Sequence, residues 1–290
     1  MEQTPASPQE TRAVQQTVVH LRARVAAAEK FRAGLLAKPG SPIAADFAKG
    51  HGQDVVSHGL TWMLSADGHL LTLAAAFSTG ELHAYGPYSL LRGAAEPLAR
   101  FTWLFDDSIG SAQRHQRLLG ERLENQIEQH KIKALRDRAK ARIDHISKLA
   151  AAAGFVQTPA TGRPAHFGQP RPATTVLFAR LLADAGADPA EDHLGELLYR
   201  LLSGHAHSVM YALMSQADTS GPRDGAVKLA RIELNIVMFL ALLDPVIRMY
   251  DAAQEHWSRM HGLAETAWRT VRSALPPTAD LGTLASPTWD

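Results

Sequence analysis

The chain has no cysteine among its 290 residues. That absence excludes disulfides, thiolate metal sites and cysteine nucleophiles together, and it fits a reducing, cytoplasmic setting. An excess of one charge sign is also lacking, since 30 Lys and Arg nearly cancel 29 Asp and Glu. No overall field therefore draws the molecule to nucleic acid or to an anionic membrane, and any basic surface has to be local. The longest apolar run, residues 236–246, is interrupted by Asp244 and Pro245. It falls far short of the roughly 20 residues that span a bilayer, so no membrane insertion is expected. Residues 1–10 are polar, with no apolar stretch suited to a signal peptide and no lipidation motif. Strand signals are almost absent.

What is present is Ala, Leu, Arg, Glu and Gln in long stretches with apolar residues three and four apart, which predicts an all-α fold. The spacing predicts helices over 8–37, ended by Pro39-Gly40, then 55–77, 87–106 with Pro97 as a local kink, and 111–153. An irregular connector follows over about 154–173, rich in Pro and Gly. Helices resume over 174–185, 189–214 and 226–275, the last bent at Pro245. No period of 20 to 50 residues repeats, so one multi-helix bundle over 1–275 is expected, followed by a flexible tail over 276–290.

The segment Tyr199-Arg200-Leu201-Leu202-Ser203-Gly204-His205-Ala206-His207-Ser208 sets polar groups among apolar ones at helical spacing. At about 100° per residue, Arg200, Ser203 and His207 fall within roughly 60° of one another, while His205 points almost the opposite way. Glu196 and Tyr211 extend this stripe by a turn on either side, and Gly204 permits close approach of a backbone or a phosphate. The same face also suits a satisfied polar seam between helices. On the helix over 87–106, Arg92 and Glu96 stand at i and i+4. They form either an intrahelical ion pair or a support for Arg200 and His207 from a facing helix.

Three segments taken with this one carry a resemblance: Ser65-Ala66-Asp67-Gly68-His69-Leu70, Ser89 to Glu96, and Trp103-Leu104-Phe105-Asp106. Together they look like a group of actinobacterial helical proteins in which an Arg-x-x-x-Glu helix ending in a Trp-Leu-Leu turn precedes a Ser-Gly-x-Ala-His segment. The combination is similar to distant members of the HEPN superfamily, helical bundles found in RNases, toxins and phage-defence systems, whose signature is an arginine four to six residues from a histidine. Arg200 has four residues between it and His205 and six between it and His207. The second spacing keeps both side chains on one face. Leu201 departs from the pattern, since active HEPN nucleases often carry a polar residue after the arginine.

The resemblance implies a metal-independent endoribonuclease, or an effector derived from one, in defence or stress response. It would need no cofactor, and it would act as a homodimer whose two-fold cleft is lined by Arg200 and His207 of both protomers. RNA is the implied substrate and a cognate regulatory protein an implied partner. Ser203, Glu196, Arg92, Glu96 and Tyr211 are the supporting residues. The alternative is a non-catalytic scaffold or small-anion-sensing module built on the same stripe.

A third reading starts from Asp106-Asp107, which resemble the first part of the aspartate-rich Mg²⁺ motif of terpene synthases, although Gly110 stands where that motif has a further aspartate. His51, His58 and Asp67 lie at spacings that give no good helical metal pair. The region 111–153 carries a local surplus of Lys and Arg that suits either RNA phosphates or a solvated face.

Overall fold

The computed structural model describes residues 8–79, 85–158, 166–187, 193–206, 217–218, 231–232, 234 and 236–276. The protein is all-α. Its helices are α1 (Pro8–Ala33), α2 (Pro42–Ala48), α3 (Gly52–Thr79), α4 (Gly86–Leu104) and α5 (Ser111–His130), then α6 (Arg136–Ala152), α7 (Thr174–Asp184), α8 (Leu194–Ala206), α9 (Ile236–Met260) and α10 (Thr266–Ser273). Four two-residue strands form two small antiparallel ladders, β1 (Gln157–Thr158) with β2 (His166–Phe167) and β3 (Ala217–Asp218) with β4 (Arg231–Ile232).

Three expectations are corrected. The helix expected over 8–37 stops at Ala33, and a separate α2 follows, capped by Ser41 Oγ accepting from the Ala44 amide at 3.2 Å. The single helix expected over 111–153 is two, because Ile132 turns extended (φ −85°, ψ 116°) between α5 and α6. The helix expected to run to residue 275 breaks after Met260. There Gly262 takes φ 78°, its amide reaching the Arg259 carbonyl at 2.8 Å while the Leu263 amide reaches that of Ser258 at 3.0 Å. This double bond satisfies two orphan carbonyls and needs the left-handed conformation that glycine adopts without a Cβ clash. Pro97 and Pro245 lie inside continuous helices. The tail from 277 onward is outside the described residues.

One large apolar cluster joins α1, α3, α4, α7, α8, α9 and α10, with Leu70, Leu98, Phe101, Phe239 and Trp257 deep within it. A smaller cluster of Leu119, Leu123, Ile146, Ala150 and Phe167 closes the α5–α6 hairpin onto β2. Small residues set how closely helices approach. A Cβ on Gly195 of α8 would lie 2.4 Å from Ala179 Cα of α7, and one on Gly59 of α3 would lie 2.4 Å from the Phe105 ring.

Three arginines are drawn into this interior by carboxylates from distant helices. Asp251 of α9 takes Arg24 of α1, Arg272 of α10 at 3.2 Å and the Trp268 indole N–H at 3.0 Å. Asp67 of α3 takes Arg32 and the Tyr250 hydroxyl at 2.6 Å, and Asp46 of α2 takes Arg114 Nε at 2.8 Å. Burial pushes the Asp67 carboxyl upward against the pull of Arg32. The ion pair with a hydroxyl donor is how such a charge is tolerated away from water.

Candidate functional site

Helices α4 and α8, whose sequences lie about a hundred residues apart, pack against each other. The Arg92 guanidinium of α4 lies over the Tyr199 ring of α8, 5.8 Å from its centroid, close enough for a cation–π attraction. Arg92 is mostly shielded, with 18% of its side chain exposed. Its intrahelical partner Glu96 stands 3.6 Å from Arg92 Nε and 3.2 Å from Arg100 Nη2. Gly93 lies beside them because a Cβ there would meet the His69 ring at 2.6 Å. The absence of a side chain at Gly93 therefore lets α3 and α4 close up under Arg92.

On α8 the stripe fans outward. Tyr199 is half-buried against α4 and Phe178 of α7, their rings 5.4 Å apart edge to face. Ser203, one turn on, is also half-buried. Arg200 stands at the solvent side with 66% of its side chain exposed, its Nε donating to Glu196 at 2.6 Å. Arg92, paired with Glu96 on its own helix, thus faces α8 at Tyr199, whereas Arg200 pairs with Glu196 on the outward side of α8. His207 and Tyr211 lie outside the described residues, as does the side chain of His205.

Asp106 and Asp107, at the turn after α4, border a second polar feature, a cleft of about 420 Å³ shared with α7 and α9. Both carboxylates are occupied by protein donors. Asp106 accepts from the Ser108 amide at 2.9 Å and hydroxyl at 2.6 Å, and from Arg117 at 3.3 Å. Asp107 accepts from Arg259 and faces His256 Nδ1 at 3.5 Å, while His256 Nε2 lies 3.0 Å from Asp184 Oδ2. The two carboxylates thus have different partners, Ser108 and Arg117 for Asp106, Arg259 and His256 for Asp107. Burial alone would lower the His256 pKa, but the two flanking carboxylates outweigh it and raise the value. Asp184 meets the ring at Nε2, Asp107 stands at ion-pair distance from Nδ1, and the ring so links the turn after α4, α7 and α9.

Spacing alone did not reveal a further cluster at the start of α5. Ser111 Oγ lies 2.9 Å from His51 Nε2, and Asp46 Oδ1 lies 3.4 Å from the same nitrogen. A serine nucleophile relay needs hydroxyl and carboxylate on opposite ring nitrogens, so this group is a polar brace. His51 also stacks on His115 at 4.3 Å, and His58 packs edge-on against Trp62 at 4.5 Å with its pKa lowered by burial to about 4. Among the described residues, no group of three His, Cys, Asp or Glu is arranged to hold a metal ion.

The basic surplus of 111–153 is partly internal, since Arg114 and Arg117 are buried, and partly paired at the surface, where Arg122 reaches Asp54 at 2.9 Å. Among the described residues no helix is long and apolar enough to cross a membrane. Compared with protein-family models, curated proteins and solved structures, the chain matches none.

Proposed function

We propose that the protein is a HEPN-like, metal-independent endoribonuclease or an effector derived from one, acting through the α4–α8 face. One observation carries this reading. The Arg-x-x-x-Glu segment and the helix leading into the Ser-Gly-x-Ala-His segment, the two features on which the resemblance rests, lie side by side, with Arg92 against Tyr199.

In this scheme the RNA 2′-oxygen attacks the adjacent phosphorus, the P–O5′ bond breaks and a 2′,3′-cyclic phosphate forms. His207 accepts the 2′-hydroxyl proton or donates one to the leaving 5′-oxygen. Arg200, exposed and oriented by Glu196, binds the phosphorane oxygens. Ser203 offers a hydroxyl to the phosphate, Tyr211 would supply another, and Arg92, paired with Glu96, positions α8 through Tyr199. A two-fold homodimer would set two such faces around one strand, with a cognate regulatory protein controlling access.

Purified chain incubated with single-stranded RNA in EDTA tests this. Arg200→Ala and His207→Ala should each abolish cleavage while melting within a few degrees of the parent, and light scattering should give a dimer mass. Unchanged cleavage in both variants would end the proposal. A second reading, a non-catalytic scaffold, draws on the internal pairing of Arg92, Glu96 and Arg100. It predicts that Arg92→Ala lowers the melting temperature and that the parent leaves RNA intact.

A further inference from the structure

Helix α6 packs chiefly on α5, burying Ala139, Ile146 and Ala150 and leaving its other residues exposed apart from Ile143 and Ser147. Residues 131–148, the turn into α6 and most of the helix, carry seven Lys and Arg against two Asp in a chain whose net charge is +1. Outside this stretch most arginines meet a carboxylate, as Arg122, Arg171 and Arg259 do. Here Lys133, Arg136, Arg138, Lys140, Arg142 and Lys148 are exposed, with no carboxylate at ion-pair distance among the described residues. Like charges gathered without local partners repel one another. An opposing polyanion relieves that repulsion.

The arrangement of the charges selects the polyanion. At about 100° per residue, Arg136 and Lys140 lie on one flank of α6 and Arg138 and Arg142 on the other, with exposed Asp137, Ala141 and Asp144 on the crest between. In each row the two cations stand one helical turn apart, about 6 Å along the axis. Two rows on opposite flanks match two phosphate strands, whereas a single strand could follow only one. An anionic bilayer fits poorly, because it would meet Asp137 and Asp144 first, and the apolar side that an interfacial helix inserts is already spent on α5.

A helix with its side chains is about 10–12 Å across, and the major groove of B-form DNA, about 12 Å wide, admits one. The A-form groove of duplex RNA is too deep and narrow for side chains to read. We propose that α6 docks in the major groove of double-stranded DNA, its two cationic rows on the phosphates of the two strands. Asp137 and Asp144 then face base edges, where the cytosine amino group donates to a carboxylate, and not the phosphates. This surface does not rest on RNA cleavage by the α4–α8 face.

The test titrates the full chain into a short labelled DNA duplex, its single strand, the matching RNA duplex and phosphatidylserine vesicles, followed by anisotropy or co-sedimentation between about 50 and 200 mM salt. The DNA duplex should bind about tenfold tighter than each of the others, with a slope of log K against log salt of about −3.6 for four phosphate contacts. Arg136→Gln with Lys140→Gln, and Arg138→Gln with Arg142→Gln, should each weaken it about tenfold and bring the slope about 1.8 closer to zero. Arg12→Gln with Arg248→Gln removes the same charge from exposed positions on α1 and α9 and should leave affinity within about twofold, as expected if the contacts are local and not set by net charge. Equal or tighter binding of the single strand, duplex RNA or vesicles, no binding of the DNA duplex at low salt, or a loss in the α1–α9 control as large as in the flank variants would each overturn the proposal. A chain that binds duplex DNA but leaves RNA intact loses only the nuclease reading, and one that cleaves RNA but ignores duplex DNA loses only this one.

Discussion

Arg24–Asp251 and Arg200–Glu196 are both arginine–carboxylate pairs, yet they do opposite things. The first joins α1 to α9 with each side chain 7% exposed, and Asp251 there also holds Arg272 and the Trp268 N–H. The second lies within α8 with side chains 66% and 49% exposed. A buried pair tolerates no missing partner, because the charge left behind has neither water nor counter-ion. An exposed pair one helical turn apart is screened and gains little. The molecule thus keeps charges such as Arg24 and Asp251 inside, between helices, and leaves Arg200 at the surface, where its loss should cost little stability.

The comparison can be broken at its strongest point first. Asp251→Ala should cost about 3–5 kcal/mol in urea unfolding, since two arginines and an indole lose their acceptor at once. A loss no larger than that of Arg200→Ala would show that the buried pairs do not hold the helices together. Next in size, Gly195→Leu should cost about 1–3 kcal/mol by overpacking, because α8 could no longer approach Ala179. A neutral result in a melting experiment would mean that the α7–α8 crossing is looser than described.

A pH series sharpens the middle of the range. His256 has its pKa raised above the ordinary 6.5 by Asp107 and Asp184, with Arg259 opposing, so the folded state holds its proton more tightly than the unfolded chain does. The stability this supplies is complete below the ordinary histidine value and is lost as pH rises through the raised one. Unfolding free energy should therefore decline above about pH 6.5, and His256→Gln should flatten that part of the profile. A profile identical in the variant would remove His256 from the account. The smallest effect belongs to Arg200→Ala, about 0.3–0.5 kcal/mol in the same unfolding assay. A larger loss would place Arg200 with the structural pairs.

What could be read from the sequence follows the same division between local and long-range. Helical periodicity located the helices, and the i,i+4 pairs Arg92–Glu96 and Glu196–Arg200 are visible as spacings. The break at Gly262 had a local signal in its glycine, but it was hidden in a pattern that stayed apolar on both sides. The break at Ile132 had none, because neither glycine nor proline marks it and a β-branched residue is only mildly unfavourable in a helix. Arg24–Asp251 spans 227 residues and Arg114–Asp46 spans 68. No spacing rule reaches that far, so these buried pairs were indistinguishable from solvated charges. The angular reading of α8 grouped Arg200 with Ser203. Packing adds that Tyr199, on the other side of Ser203, is the residue turned toward Arg92, which depends on where α4 lies and not on α8 alone.

The chemistry of the RNA ends tests the functional account most directly. Single-stranded RNA treated with the full chain in EDTA should yield 2′,3′-cyclic phosphate ends with 5′-hydroxyl partners, and this product should vanish with Arg200→Ala while the melting temperature stays within a few degrees. RNA left intact by the parent, or 5′-phosphate ends made only when Mg²⁺ is supplied, would contradict it.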